Sequence, residues 1–126
     1  MKEKKFFAKI NLNMIEAYQF GEIKINGETY HYDVCLDWKG KILRWQRKES
    51  HWIDLEDVKL ALEKNPEILI IGTGAYGVAK VSEKVKEKAN ELNLELLISP
   101  TKEAIEAFEK NLSEGKKVVG LFHLTC

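Results

Sequence analysis

The chain has 126 residues, 44% hydrophobic and 32% charged, a balance that suits one soluble globular domain and excludes a largely disordered chain. Lys plus Arg equal Asp plus Glu at 20 each, so no whole-molecule field draws it toward nucleic acid or anionic lipid. No apolar run approaches the roughly 18 residues of a membrane-spanning helix. The two cysteines, Cys35 and Cys126, are too few for a disulfide scaffold, so a reduced, cytoplasmic setting without a membrane partner is expected.

Residues 1–13 form a candidate flexible N-terminal extension. Lys9, Asn11 and Asn13 interrupt its apolar residues, so it lacks the apolar centre of a secretory signal. Residues 14–126 are expected to form a single domain. From Tyr18 to Arg47 the period is two: Asn26-Gly27 separates alternating segments and tolerates the positive φ of a tight hairpin. Tyr30, Tyr32, Val34 and Leu36 then share one strand face, and His31, Asp33, Cys35 and Asp37 the other. A turn over Asp37 to Gly40 leads into a strand through Ile42 to Arg47, completing an antiparallel meander.

After Trp52 the period lengthens. Asp54 caps a helix with Leu55, Val58, Ala61 and Leu62 inward, ended by Asn65-Pro66. The unbroken run "EILIIG" marks a strand covered on both faces. Ser82 caps a second helix with Val85, Ala89 and Leu92 inward, followed by the strand "LELLIS". Thr101 caps a third helix with Ala104, Ile105, Phe108 and Leu112 inward, which stops at Gly115 before the final strand. Strands separated by such helices are parallel with right-handed crossovers. The expected fold is α/β: an antiparallel meander, then α-β-α-β-α-β, layered as a β/β/α sandwich.

Gly72, Gly74 and Gly77 spell the dinucleotide-binding spacing G-x-G-x-x-G. The next helix cap lies beyond Gly77 at Ser82, and no acid ends the following strand, so neither geometric requirement of that site is met. The glycines are expected to serve a turn and a close approach, and no cofactor is expected. Metal binding fares no better. His31 and Cys35 lie about 13 Å apart along a strand, and His123-x-x-Cys126 offers only two ligands. "RWQRKESHW" interleaves basic and aromatic residues as nucleic-acid surfaces do. In a neutral chain, core-anchoring rings with basic chains that are solvated or form ion pairs are the stronger reading.

The loops after three parallel strands gather at one sheet edge, where ligands usually bind. This edge collects Gly72, Thr73, Gly74, Tyr76, Thr101, His123, Thr125 and Cys126, with the third helix offering an N-terminal anion position. Each has an ordinary structural role to weigh against function: a cap for Thr101, and a hydrogen-bonded core residue for His123.

"GTGAYG", "SPTKEA" and the terminal "HLTC", in this order, resemble the adipogenesis-associated Mth-domain family of small α/β proteins, which includes a mitochondrial complex I assembly factor. The resemblance covers Ile15 to Cys126. "YQFGEIKING", Asp33 and the Ser50-His51 pair also fit it, whereas Met1 to Asn13 precede the usual start and Glu109 replaces an expected asparagine. It implies a β-meander layered with a three-helix α/β unit and no assigned enzymatic activity. The first functional expectation is a non-enzymatic binding or assembly-accessory protein using this edge with Asp33, Arg47 and His51 nearby, and a protein partner or homo-oligomer. The alternative is a small-molecule enzyme or ligand-binding protein with His123 as acid or base, which needs a pocket of about 300 Å³ or more.

Overall fold

Asn26 and Gly27 both carry positive φ, 47° and 88°, the turn that this dipeptide favours. It joins β2 (Glu22–Ile25) to β3 (Glu28–Tyr30), and β1 (Ile15–Gln19) pairs antiparallel with β2. The computed structural model describes residues 14–126, so the expected extension 1–13 lies outside the described residues.

The strand expected from Tyr30 to Asp37 is interrupted. Residues 31–33 leave the ladder, and β4 (Val34–Leu36) restarts in a second sheet. There it pairs antiparallel with β5 (Ile42–Arg44) and with β10 (Val118–His123). The physical reason is burial: Val34, Cys35 and Leu36 are all fully buried and need cover on both faces, which the partly exposed β1–β3 sheet does not give. The meander is therefore shared between two sheets.

The second sheet has the order β5-β4-β10-β7-β9, with β7 (Ile68–Thr73) parallel to both β10 and β9 (Glu95–Ser99). Strand alternation sorts its side chains into two cores. Val34, Leu36, Ile68, Ile70, Val118 and Phe122 meet the three-stranded sheet and α3 (Thr101–Ser113), through Ile23, Ile25, Phe108 and Leu112. Phe108 and Phe122 meet edge to face with centroids 5.8 Å apart. Cys35, Leu69, Ile71, Val119 and Leu121 instead meet Val58 and Ala61 of α1 (Leu55–Leu62) and Val85 of α2 (Glu83–Glu91). The layered α/β fold expected from the periodicity is present, with helices on both faces of the central sheet.

Asp54 caps α1 in a capping box with Asp57. Ser82 occupies the N-cap position of α2 but does not cap it. Its hydroxyl donates to Asp54 Oδ1 at 3.0 Å, tying the start of α2 to the cap of α1. A short parallel ladder of β6 (Trp52–Ile53) and β8 (Lys80–Val81), not foreseen, brings the chain before α1 alongside the chain leaving the glycine loop. No helix among the described residues is long and apolar enough to cross a membrane.

Candidate functional site

Parallel pairing places Thr73 opposite His123 and Gly72 opposite Ser99, so the three chain segments that follow these strands leave the sheet at one edge. Thr73 Oγ1 donates to Ser99 O at 3.1 Å across that edge. Thr101 is not the helix cap expected for it. Pro100 holds that position, and Thr101 is the first helical residue, fully buried. Its hydroxyl donates to His123 O at 2.5 Å and accepts Gly74 N–H at 2.9 Å, joining the helix start to two other segments. A cap made to α3 itself would leave both buried backbone groups unpaired, which costs more than the cap returns. Thr101 N–H in turn donates to Gly74 O at 3.0 Å. A carbonyl of the chain's own loop thus stands against the first amide of the expected anion position.

The glycines serve this closure. A Cβ on Gly72 would lie 2.8 Å from Thr101 Oγ1 and 3.3 Å from Ala104 Cβ. Gly74 adopts φ of 107°, and a Cβ there would overlap the carbonyl oxygens of Thr125 and Cys126. Ala75 N–H donates to Thr125 O at 2.6 Å, so the loop's backbone faces the tail 124–126. The helix that follows begins at Glu83, beyond Gly77. Close approach between two stretches of this chain accounts for the spacing.

Asp33 ties the tail down from the other side. Oδ1 accepts Leu124 N–H at 2.8 Å, while Oδ2 lies 2.7 Å from His123 Nδ1 and is bonded by Arg47 Nη1. A carboxylate can only accept, so His123 carries its proton on Nδ1. The approach of Arg47 Nη2 to the same Nδ1 at 3.2 Å is then a contact rather than a hydrogen bond, and Nη2 donates instead to Ser50 O at 2.9 Å. Burial pushes the Asp33 carboxyl up, but hydrogen bonds from His123, Leu124 N–H and Arg47 outweigh it and hold the group below the usual carboxylate range. The Arg47 guanidinium, its side chain only 5% exposed, also lies over the Trp45 ring at 4.8 Å. Among the described residues, Arg47 Nε and His123 Nε2 are buried without a partner.

The outer surface of the edge is aromatic. Tyr76 is 74% exposed and Phe20 55%, with centroids 6.1 Å apart. Both sit on segments bonded to the tail: Gly21 N–H donates to Leu124 O at 2.9 Å, and Ala75 N–H to Thr125 O. Tyr18 adds its hydroxyl to Leu124 O at 3.1 Å. Cys126 is exposed with Sγ 4.0 Å from His51 Nε2, and Cys35 is buried, its thiol pushed up to about 12 by burial. Beside the knot an open groove of about 680 Å³ is lined by Tyr32, Asp33, Arg44, Arg47, Lys48 and Ser50, but not by His123. Among the described residues no three His, Cys, Asp or Glu side chains are placed to share a metal.

All ten expected site residues therefore lie in one neighbourhood, in three roles. Gly72, Gly74, Thr73 and Thr101 close the edge; Asp33, Arg47 and His123 clamp the tail; Tyr76, His51 and Cys126 face outward. Tyr18, Phe20 and Leu124 escaped the sequence reasoning. Phe20 has a local signal, a large ring beside Gly21 at a hairpin turn, a place normally left in solvent. Tyr18 and Leu124 have none, because their partners lie 106 residues apart in the chain.

Comparison with known proteins gives a consistent picture. A model of the family described as protein of unknown function (DUF498/DUF598) matches residues 15–123. The fold is similar to that of a conserved hypothetical protein of Pyrococcus horikoshii OT3, with a TM-score of 0.80 and 29% identity over 89% of this chain and 98% of that one. It is also similar to a protein called MT938, at 0.76 and 25% identity over 90% and 98%. A Mth938-like domain from Bordetella pertussis, at 0.67 and 16% identity over 90% and 86%, shares the fold alone.

Proposed function

The chain belongs to the DUF498/DUF598 family of proteins of unknown function, the Mth-domain fold expected from its glycine turn and terminal motif, and from its own geometry we propose that it is a non-enzymatic docking module. It engages a protein partner through the Phe20–Tyr76 face. One observation carries this reading: two large rings stand side by side in solvent on segments held to the tail by backbone hydrogen bonds. Exposed aromatics on a fixed scaffold lose little side-chain entropy on binding and fill pockets in a partner, as interface anchors do. Behind them the polar groups are largely committed to one another, which favours a rigid platform over a reactive centre.

Site-specific photocrosslinking in cells tests this. A photoreactive phenylalanine analogue at Tyr76 is expected to trap one discrete protein adduct that the same analogue at exposed Glu87 does not. Phe20→Ala in the same chain should remove the adduct. No adduct, or one indifferent to Phe20→Ala, overturns the proposal.

A second reading has one observation in its favour. Asp33 fixes the His123 tautomer and leaves Nε2 as a free lone pair, the arrangement of a general base. This enzyme reading requires small-molecule access to Nε2, whereas His123 is 4% exposed. Rapid modification of His123 by diethyl pyrocarbonate in the folded protein would favour it. Protection until unfolding would remove it.

A further inference from the structure

Strand β9 ends the central sheet, and its outer side carries no other strand among the described residues. Glu95 N–H donates to Glu67 O at 3.2 Å, and Ser99 O accepts from Thr73 Oγ1, so Glu95, Leu97 and Ser99 direct their backbone groups toward β7. Leu96 and Ile98 therefore direct theirs outward, a short row of donors and acceptors with no backbone partner among the described residues. The row has sharp ends. Leu94 N–H is already bonded to Ala89 O at 2.9 Å, and Pro100 has no N–H.

Natural sheets guard such edges with lysines, bulges, inward charges or a covering element. This edge has little of that. It pairs with β7 in unbroken register over five residues, and Glu95 is its one charged residue. The side chains fit an unfilled interface as well. Leu96 and Leu97 pack partly into the two cores, but Ile98 is left 38% exposed.

We infer that a second copy of this chain pairs antiparallel with β9 about a two-fold axis at Leu97, joining the two five-stranded sheets into one of ten strands. Self-complementarity singles out this occupant. Centred on Leu97, the outward Leu96 of one copy faces the outward Ile98 of the other and exchanges two hydrogen bonds with it. Symmetry repeats the pair, giving four. Each Ile98 then covers the Leu96 opposite. Each Glu95 stands across from Ser99 rather than another carboxylate, so no like charges meet. A shift to centre on Ile98 would set Leu96 against Pro100, which lacks the donor and whose carbonyl is held by Ala104 N–H. A shift to Leu96 would set Ile98 against Leu94, whose N–H is already committed. Because the paired strands run oppositely, the two Phe20–Tyr76 faces would lie toward opposite ends of the joined sheet and act as a bivalent pair.

Sedimentation equilibrium of the full chain tests the pairing, with a concentration-dependent dimer expected. Ile98→Lys should weaken it by about tenfold or more. Ser99→Glu, which sets two carboxylates face to face, should weaken it several-fold. Adding Glu95→Lys to Ser99→Glu converts those clashes into ion pairs and should restore the dimer. Amide exchange of the unmodified protein gives a readout that needs no variant: Leu96 and Ile98 should slow as concentration rises, while Leu97 stays constant. A monomer up to about 1 mM, amides of Leu96 and Ile98 indifferent to concentration, or a folded Ile98→Lys that dimerises undiminished would each overturn the inference.

Discussion

Replacing Asp33 with Asn probes the knot at its centre. The carboxylate takes three donors: Leu124 N–H, His123 Nδ1–H and Arg47 Nη1. An asparagine keeps one oxygen for Leu124 but turns an amide N–H₂ toward the other two. His123 can adjust by changing tautomer. Arg47 cannot, because its guanidinium stays charged and its side chain is only 5% exposed. Leaving a buried charge unpaired costs about 3–5 kcal/mol, a large share of the roughly 5–15 kcal/mol of a whole domain. In a chain of this size that corresponds to a melting temperature lower by about 10–20 °C. Urea unfolding followed by tryptophan fluorescence is a suitable assay, because Trp45 packs against Arg47. The loss should also depend on pH. The folded carboxyl lies below its unfolded value, so its contribution is complete above the unfolded value of about 4 and disappears as pH falls through the folded one. The gap between the two proteins should therefore be full at pH 7 and close under acid. Arg47→Met in the Asp33→Asn background should recover part of the loss by removing the stranded charge. A penalty under about 1 kcal/mol, or a gap unchanged between neutral and acid pH, would refute this account.

Two other substitutions test separate contacts. Thr101→Val strands Gly74 N–H and His123 O in a buried place and should cost about 2–4 kcal/mol by chemical denaturation, whereas Thr101→Ser should keep most of that stability. Equal tolerance of Ser and Asp at this position would instead restore the capping role. For Glu109, burial pushes the carboxyl up and the N–H groups of Ile15 and Met14 oppose it only in part. A raised folded value means the contribution of this group is fully present in acid and is lost as pH rises through that value. Glu109→Gln should therefore gain on the natural chain as pH rises above about 4 in a series of urea midpoints, and a constant offset would contradict this.

How far the fold could be read from sequence depended on whether the signal was local. Asn26-Gly27, the run Ile68–Ile71 and the stripe Ala104, Phe108, Leu112 each act within a turn, a strand or a helix, so their elements were legible. The gathering of three segments at one edge followed from strand direction alone. The break at residues 31–33 was not legible. Alternation continues through it, and only the burial of Cys35 beside Val34 and Leu36 forces the chain into another sheet. Ser82 holds the expected cap position and Thr101 lies one residue inside its helix, yet neither hydroxyl caps, since the local default of a hydroxyl at a helix start is overridden by a long-range donor or acceptor. The link of Asp33 to Leu124 spans 91 residues and leaves no periodic trace.

The glycine loop shows how one spacing can serve opposite ends. In a dinucleotide site, glycines remove Cβ atoms so that a backbone can approach a pyrophosphate. Nothing in that requirement concerns phosphate as such: a missing Cβ and a positive φ permit close approach by any group. Here the approaching groups are Thr101 against Gly72 and the Thr125 and Cys126 carbonyls against Gly74. Those carbonyls carry partial negative charge, as a phosphate carries full charge, so the Ala75 amide meets an acceptor in either case. The difference is that here the chain supplies its own acceptor, Thr125 O. Under the docking proposal, recognition falls instead to the exposed rings of Tyr76 and Phe20, whose centroids lie 6.1 Å apart. A phosphate entering this loop would have to displace the Ala75 N–H bond to Thr125 O and the Thr125 and Cys126 carbonyls packed against Gly74.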